Sequence, residues 1–550
     1  MPFFLSISVL VLASCSSTGE LAQNSTVNEP TETETVATEA EVLAPTEDWH
    51  LLSPNSDPYF GTGVELAYEQ LLTNKQPRKE VIVAIIDSGT DIEHEDLAEN
   101  IWINEDEIAG NGIDDDGNGY VDDIHGWNFI GGADGSHVID DTYEVTRIYA
   151  SLRDDYEGVN PADLNEEERA EYEYYQEIKA DYLAERNEVQ TVLQNIMGFE
   201  QAIMGSKQVF GVTHIDSVSA KDLEPDSSDT PLKAQAKQVL SYVKEVGLTE
   251  EELQEAKEQY QTLAEFGMNP DFDPRGIVGD DYDDLTNRFY GNNDVAGPRS
   301  DHGTHVAGIV GAIRNNSVGM DGIADVKLMI VRTVPMGDER DKDVANAIRY
   351  AAENGADIIN MSFGKGYSPQ KAYVDAAVRF ADSLGVLMIH GAGNDGANID
   401  TTNNFPSRTY SNGGMAINFM NIGASSWEDG EALPAVFSNY GSEEVDLFAP
   451  GVEIYSTYPE NEYKANDGTS MAAPVVSGVA ALIMAYYPDL TATQVKEILM
   501  DSSTKPEQNI VNRPGSGEEP VLVPFSELSI SGGIVNAFEA LKMADQLSDY

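Results

Sequence analysis

Short runs of β-branched and apolar residues, each followed by a helical segment, constrain the fold of this 550-residue chain most strongly. The first run, 81–86 (VIVAII), contains no polar residue, which is typical of a strand buried on both faces of a parallel sheet. Segment 342–354 has helical character and is followed by a glycine. Similar strand-like runs occupy 326–331, 357–361 and 386–390. The alternation predicts an α/β fold with a mostly parallel central sheet and helices on both faces.

Residues 141–270 interrupt this alternation. Thr249 and Glu252 have the spacing of a capping box, which marks the start of a helix. Apolar residues at spacings of three and four predict one face of a longer helix, formed by Tyr175, Ile178, Tyr182, Val189, Val192 and Ile196. The segment is predicted to be an inserted helical hairpin with acidic outer faces. Its role is either structural decoration or control of access to a site.

The N-terminal residues resemble a bacterial lipoprotein signal. A short apolar run at 4–13 leads into Leu12-Ala13-Ser14-Cys15, although the usual basic residue before the run is missing. We expect residues 1–15 to be a signal peptide and lipobox with lipidation at Cys15; the alternative is an ordinary cleaved signal. Residues 16–48, rich in Thr, Glu, Ser and Pro, are predicted to be a disordered acidic tether. The protein would then be exported and membrane-anchored, at the outer membrane, the periplasmic face or the cell surface.

Charge and cysteine content narrow the possible partners. The chain carries 96 acidic and 32 basic residues, a formal net charge of -64, which repels nucleic acid. No nucleic-acid partner is therefore expected. One cysteine allows no intrachain disulfide.

Three motifs carry groups suited to nucleophilic catalysis. Asp87-Ser88-Gly89 follows the first buried run, His302-Gly303-Thr304-His305 opens one helical segment, and Gly468-Thr469-Ser470-Met471 opens another. A serine hydroxyl needs a neighbouring base to attack at neutral pH, and a carboxylate can orient that base. Ser470 also lies where a helix dipole favours developing negative charge.

The order Asp, His, Ser resembles that of the subtilisin-like serine peptidases. The resemblance covers about 49–140 and 270–545, so we divide the peptidase domain into 49–140 and 271–550, separated by the insertion at 141–270. It implies a three-layer fold, a monomer, and hydrolysis of extracytoplasmic proteins or peptides through an acyl-enzyme. It also implies that Ser470 is the nucleophile, His302 the base and Asp87 the residue that orients it. The 215 residues between Asp87 and His302 are a long separation for the family.

The resemblance implies further site residues. Asn394, in Gly391-Ala392-Gly393-Asn394, would donate to the oxyanion, a role worth about 10²–10³ in turnover in subtilisin. The pocket for the residue before the scissile bond would be lined by Ser362, Phe363, Gly364, Gly391, Ala392 and Gly393. These small apolar walls favour cleavage after apolar residues, whereas His390 departs from the family pattern. Phe405-Pro406 matches a family segment that carries a cis proline.

An acidic, glycine-containing loop at 111–123 has the alternating oxygen ligands of a calcium site. The candidate ligands are Asp114, Asp116, Asn118, the Tyr120 carbonyl and Asp122. Structural Ca²⁺ is the predicted cofactor, and a metal-free acidic turn is the alternative.

Two other functions remain open. One is a lipid-anchored binding protein that keeps the fold without catalysis, and the other is a processing enzyme for a single partner. Hydrolysis of unfolded casein separates the first from an active peptidase, and restriction to one native substrate identifies the second.

Overall fold

The computed structural model describes residues 45–506, 509–517 and 519–548. The predicted signal peptide, Cys15 and nearly all of the predicted tether lie outside these residues. The strands are β1 Ile82–Asp87, β2 Gly126–Asn128, β3 Lys327–Arg332, β4 Ile358–Met361, β5 Leu387–Gly391, β6 Phe419–Ser425, β7 Leu447–Pro450, β8 Ile454–Tyr458, β9 Glu462–Asn466, β10 Ile510–Asn512 and β11 Leu522–Pro524.

Twelve α-helices occur in the described residues. They are α1 Val64–Ala67, α2 Glu144–Tyr156, α3 Glu166–Phe210, α4 Ala220–Leu223, α5 Pro231–Glu245, α6 Glu250–Thr262, α7 Asp301–Gly311, α8 Asp341–Glu353, α9 Lys371–Ser383, α10 Thr469–Tyr486, α11 Ala492–Asp501 and α12 Ala537–Ser548.

The central sheet has seven strands in the order β2-β3-β1-β4-β5-β6-β7. Every neighbouring pair is parallel, so all carboxyl ends meet at one edge. The chain adds strands on one side of β1 and then on the other, which opens a crevice at that edge next to β1. The predicted α/β fold with a parallel sheet is confirmed.

Alternate residues of β1 pack into two different hydrophobic cores, one on each face of the sheet. Val83 and Ile85 pack with apolar residues of α7 and α10 on one face of the sheet. Ala84 and Ile86 pack with α8 and α9 on the other face. Because both faces are buried, the strand needs apolar residues throughout, as its sequence shows. Helix α10 is the one helix of the described residues long and apolar enough to cross a membrane, and it is almost entirely buried in the core.

The segment at 141–270 is helical but is larger than the predicted hairpin. Helix α3 is continuous over 45 residues, capped by Asn165 with Glu168 at its start and by the left-handed Gly211 at its end. The predicted capping box of Thr249 and Glu252 begins α6. Helices α4 and α5 lie between them. The helices enclose a separate apolar core that includes Ile178, Tyr182, Leu240 and Leu253. We call residues 141–270 the insert.

Candidate active site

Asp87 is the last residue of β1 and lies at the carboxyl edge of the sheet. It is 1% exposed, and its Oδ1 accepts from the Ser88 backbone N–H at 2.7 Å. His302 Nδ1 donates to the same oxygen at 2.7 Å. The structure thus brings together two of the predicted site residues, which are 215 positions apart in the chain.

His302 lies in the first turn of α7, which can approach β1 closely because the next residue is glycine. A Cβ on Gly303 would overlap the Gly89 carbonyl and lie 3.2 Å from Asp87 Cβ. Burial of the ring would by itself lower the pKa of His302. The charge of Asp87 and its hydrogen bond outweigh burial and raise that pKa above its ordinary value.

Ser470 lies in the first turn of α10, which packs against α7. The helix begins after Gly468, whose φ of 148° is a conformation that L side chains rarely adopt. Ser470 Oγ donates to the Ser362 carbonyl at 3.1 Å, and Ser362 Oγ donates to the Ser470 carbonyl at 2.8 Å. These two hydrogen bonds join the start of α10 to the segment that follows β4.

Asn394 follows β5 and is held in one orientation by Thr469. Its Oδ1 accepts from the Thr469 backbone N–H at 2.9 Å and from Thr469 Oγ1 at 3.0 Å. The Thr469 hydroxyl also accepts from Gly393 N at 3.0 Å. The side-chain NH₂ of Asn394 faces the space beside Gly468, where a Cβ would lie 3.5 Å from Asn394 Nδ2 and 3.5 Å from Ser470 N. Two N–H donors therefore border one small space next to the serine, an arrangement suited to binding an oxyanion.

Comparison with known proteins agrees with this geometry. The sequence profile of the subtilase family matches residues 78–517. The chain belongs to the subtilase family. It is a subtilisin-like serine endopeptidase, a hydrolase.

Several subtilisins align with part of the chain. Subtilisin DY of Bacillus licheniformis is 38% identical over 208 residues, covering 37% of this chain and 70% of that protein. Subtilisin E of Bacillus subtilis (strain 168) and subtilisin NAT of Bacillus subtilis subsp. natto are each 39% identical over 211 residues. Each of these two alignments covers 37% of this chain, and each spans about half of the relative, 51% of its length.

The predicted pocket residues of this subtilase lie after two neighbouring parallel strands, β4 and β5. The first group, Ser362, Phe363 and Gly364, follows β4, while Gly391, Ala392 and Gly393 end and follow β5.

Two further residues contact these predicted pocket residues. Buried His390 of β5 has Nε2 2.7 Å from the Phe363 carbonyl, to which it can donate, and burial lowers its pKa. Asn404 was not identified from the sequence. It donates to the Gly391 carbonyl at 3.2 Å and to the Ala392 carbonyl at 2.9 Å. Its Oδ1 would overlap a Cβ on Gly364, so it lies against both groups of predicted pocket residues. The Phe405–Pro406 peptide bond after it is cis, as expected from the resemblance.

The acidic loop of the subtilase groups three carboxylates, two of which were predicted ligands. Asp114 and Asp116 each place one oxygen within 4.8 Å of the other and of an oxygen of Glu107, which lies outside the predicted loop. The carboxylate of Asp122 instead accepts from the backbone N–H groups of Asn111 and Gly112. The other two predicted ligands contact each other, because the Tyr120 backbone N–H donates to Asn118 Oδ1.

Proposed function

We propose that this subtilase hydrolyses peptide bonds of extracytoplasmic proteins as a monomer, with Asp87, His302 and Ser470 as its catalytic triad. The observation that carries the proposal is the 2.7 Å hydrogen bond between His302 Nδ1 of α7 and Asp87 Oδ1 of β1. Helix α7 packs against α10, whose first turn contains Ser470.

In this proposal each group has one part in the reaction. Because Asp87 accepts from Nδ1, the proton of neutral His302 stays on Nδ1 and its Nε2 lone pair can accept the Ser470 proton. Ser470 Oγ then attacks the substrate carbonyl, and His302 passes the proton to the leaving amine. Water hydrolyses the acyl-enzyme in the same way. Asn394 Nδ2 and Ser470 N donate to the carbonyl oxygen as its negative charge develops.

A fluorophosphonate probe tests the assignment. Labelling followed by peptide mass spectrometry should place the adduct on Ser470, and the labelled protein should no longer hydrolyse unfolded casein. An unlabelled protein that also leaves casein intact would favour the alternative of a binding protein without catalysis. Cleavage of one native protein but not of casein would instead indicate a processing enzyme.

Replacing Asn394 with Leu should lower kcat by about 10²–10³ with little change in KM. The amide contributes mainly when the oxygen carries negative charge, so binding of the uncharged substrate is affected less. Steady-state kinetics on a chromogenic peptide measure both constants. Asn398→Leu is a control on the same loop, outside the site. A rise in KM with no fall in kcat in Asn394→Leu would contradict the oxyanion role.

We propose further that Cys15 is lipidated and holds the enzyme on a membrane of the exporting cell. The support is the sequence Leu12-Ala13-Ser14-Cys15 after an apolar run at 4–13. Metabolic labelling with a palmitate analogue should mark the wild type, and Cys15→Ala should move the enzyme from the membrane fraction to the soluble fraction. A wild type found only in the soluble fraction would favour an ordinary cleaved signal.

We also propose that the acidic loop binds structural Ca²⁺. Carboxylate oxygens are the ligands Ca²⁺ prefers, and Glu107, Asp114 and Asp116 would hold the ion. Among the described residues no lysine or arginine pairs with these three, so a bound cation would relieve their mutual repulsion.

Chelation by EDTA should lower the melting temperature by roughly 5 °C, and added Ca²⁺ should restore it, since a ligand that binds only the folded state stabilises it. Asp114→Asn with Asp116→Asn should remove the response, whereas Asp283→Asn with Asp284→Asn, on an exposed acidic loop, should keep it. An unchanged melting temperature, with no metal found by mass spectrometry, would indicate a metal-free turn.

A further inference from the structure

The insert contacts one margin of the active-site cleft through buried charges. Lys365 immediately follows the pocket residues 362–364, and its side chain is 2% exposed. Lys365 Nζ lies 2.6 Å from Glu144 Oε2 of α2 and 2.8 Å from Asp341 Oδ1 of α8. Tyr367, two residues further on, donates to Asp181 of α3 and packs against the core of the insert.

The same margin includes the loop between β3 and α8. Arg147 of α2 donates to the carbonyls of Asp338 at 3.2 Å and Glu339 at 3.3 Å. It also pairs with Glu144 at 2.8 Å, and both side chains are largely buried. Helix α2 is thereby attached to the two segments that follow β3 and β4. Partners buried this deeply are costly to separate, so this attachment is firm.

Both ends of the insert leave the peptidase domain at this margin. The Tyr143 N–H, just before α2, donates to the Gly267 carbonyl at 3.0 Å. The insert is thus joined to the rest of the chain through one narrow neck beside its buried charges.

At the opposite margin of the cleft, the insert contacts the peptidase domain through an exposed ion pair. Glu255 Oε2 of α6 lies 2.8 Å from Lys464 Nζ of β9, and the two side chains are 50% and 37% exposed. The β8–β9 hairpin is itself fixed to the helix of His302, because Thr457 Oγ1 donates to the Thr304 carbonyl at 2.8 Å. A single exposed ion pair between flexible side chains is weak. The insert is therefore held firmly beside the pocket and loosely beside the catalytic histidine.

We propose that the insert is a lid over the active-site cleft, hinged at Glu144 and Arg147 and latched by Glu255 and Lys464, which admits extended unfolded chains and excludes folded proteins. The proposal rests on the proposed peptidase function. One extended strand with its side chains is about 10 Å thick and can lie beneath such a cover. A folded domain is several times thicker and reaches Ser470 only when the latch is open. Burial, with the nearby charges of Asp338 and Asp181, raises the pKa of Glu185 on α3 to about 8, as expected for a helix face turned toward the protein.

Two variants test the lid. In the first, an eight-residue Gly-Ser linker replaces residues 157–262. This variant retains α2 with both hinge residues, and the linker is long enough to run back along the roughly 20 Å length of α2. In the second, Glu255→Ala with Lys464→Ala removes the latch alone. The matched control is Glu200→Ala with Lys257→Ala, which removes an ion pair of the same 2.8 Å length inside the insert.

The measured quantity is the cleavage rate of native ribonuclease A divided by that of its reduced, alkylated form, per fluorophosphonate-labelled site. The linker variant should raise this ratio at least tenfold and the latch variant two- to fivefold, with no change in the control. An unchanged ratio in the latch variant, with normal hydrolysis of a chromogenic tetrapeptide, would overturn the lid and leave the peptidase assignment intact. A wild type that neither labels nor cleaves the tetrapeptide would instead overturn the proposed function. If the linker variant does not label because it misfolds, the latch variant decides.

Discussion

Replacing Ser470 with Ala is expected to lower kcat by about 10⁶, the loss seen when the nucleophile of subtilisin is removed. The hydroxyls of Ser362 and Thr469 are not expected to substitute, because Ser362 Oγ donates to the Ser470 carbonyl and Thr469 Oγ1 donates to Asn394 Oδ1. Folding should change little, since the buried hydrogen bond to the Ser362 carbonyl that the variant loses is worth about 1 kcal/mol. Single-turnover hydrolysis of a chromogenic peptide and thermal unfolding measure the two effects separately.

Ser477→Ala is the matched control for this change. Ser477 lies in the same helix, is fully buried, and donates to Asn360 Oδ1 at 2.8 Å. It should lose a similar amount of stability and keep its turnover. If Ser470→Ala retained more than about one part in 10³ of wild-type kcat, Ser470 would not be the nucleophile.

Replacing Asp87 with Asn is expected to lower kcat by about 10⁴. The carboxylate can only accept from His302, so it keeps the proton on Nδ1 and leaves Nε2 free to act as a base. An amide can also donate, which allows the opposite tautomer and removes the charge that stabilises the imidazolium. The acid is 1% exposed, so bulk water cannot replace its charge.

The same variant should move the acid limb of the kcat/KM profile to lower pH. In the wild type, burial lowers the pKa of His302, but the charge and hydrogen bond of Asp87 raise it more. His302 must be neutral to accept the serine proton, so activity is lost as the pH falls through this pKa. With Asn at position 87 burial remains and the charge is gone, so the pKa falls and the residual activity persists to lower pH.

Asp96→Asn provides the comparison for this profile. Asp96 is buried and accepts from Asn316 and Met320, away from His302. It should leave the acid limb in place even if stability falls. An acid limb of Asp87→Asn that coincides with that of the wild type would contradict the electrostatic role of Asp87.

Local patterns in the chain predicted the peptidase fold well. The apolar run at 81–86 corresponds to β1, and the other three runs correspond to β3, β4 and β5, each within one residue of the predicted bounds. A strand buried on both faces must be apolar at every position, and this requirement is visible in the sequence alone. The insert was predicted less completely. Helix α4 has only four residues and packs on α5, so it is too short to show a periodic pattern. Helix α5, which packs on α3, buries Ala236, Leu240 and Val243 at helical spacing that the prediction of a hairpin did not include.

The candidate site was also predicted only in part from the sequence. Gly468-Thr469-Ser470 predicted the nucleophilic serine, but not that Thr469 orients Asn394 toward Gly468. The acidic loop predicted Asp114 and Asp116 as ligands, whereas Glu107, from an earlier part of the chain, lies within 4.8 Å of both. Asn404 carries no motif and is recognisable only by the two pocket carbonyls to which it donates.

By itself the sequence determined which groups can react and on which kind of element each lies, since periodicity and short motifs are properties of neighbouring residues. Only the tertiary structure decided how those groups meet: Asp87 with His302 across 215 positions, Asn394 with Thr469, and the insert with both margins of the cleft. The physical reason is that each of these contacts joins segments distant in the chain, and its length and strength depend on how the whole chain packs.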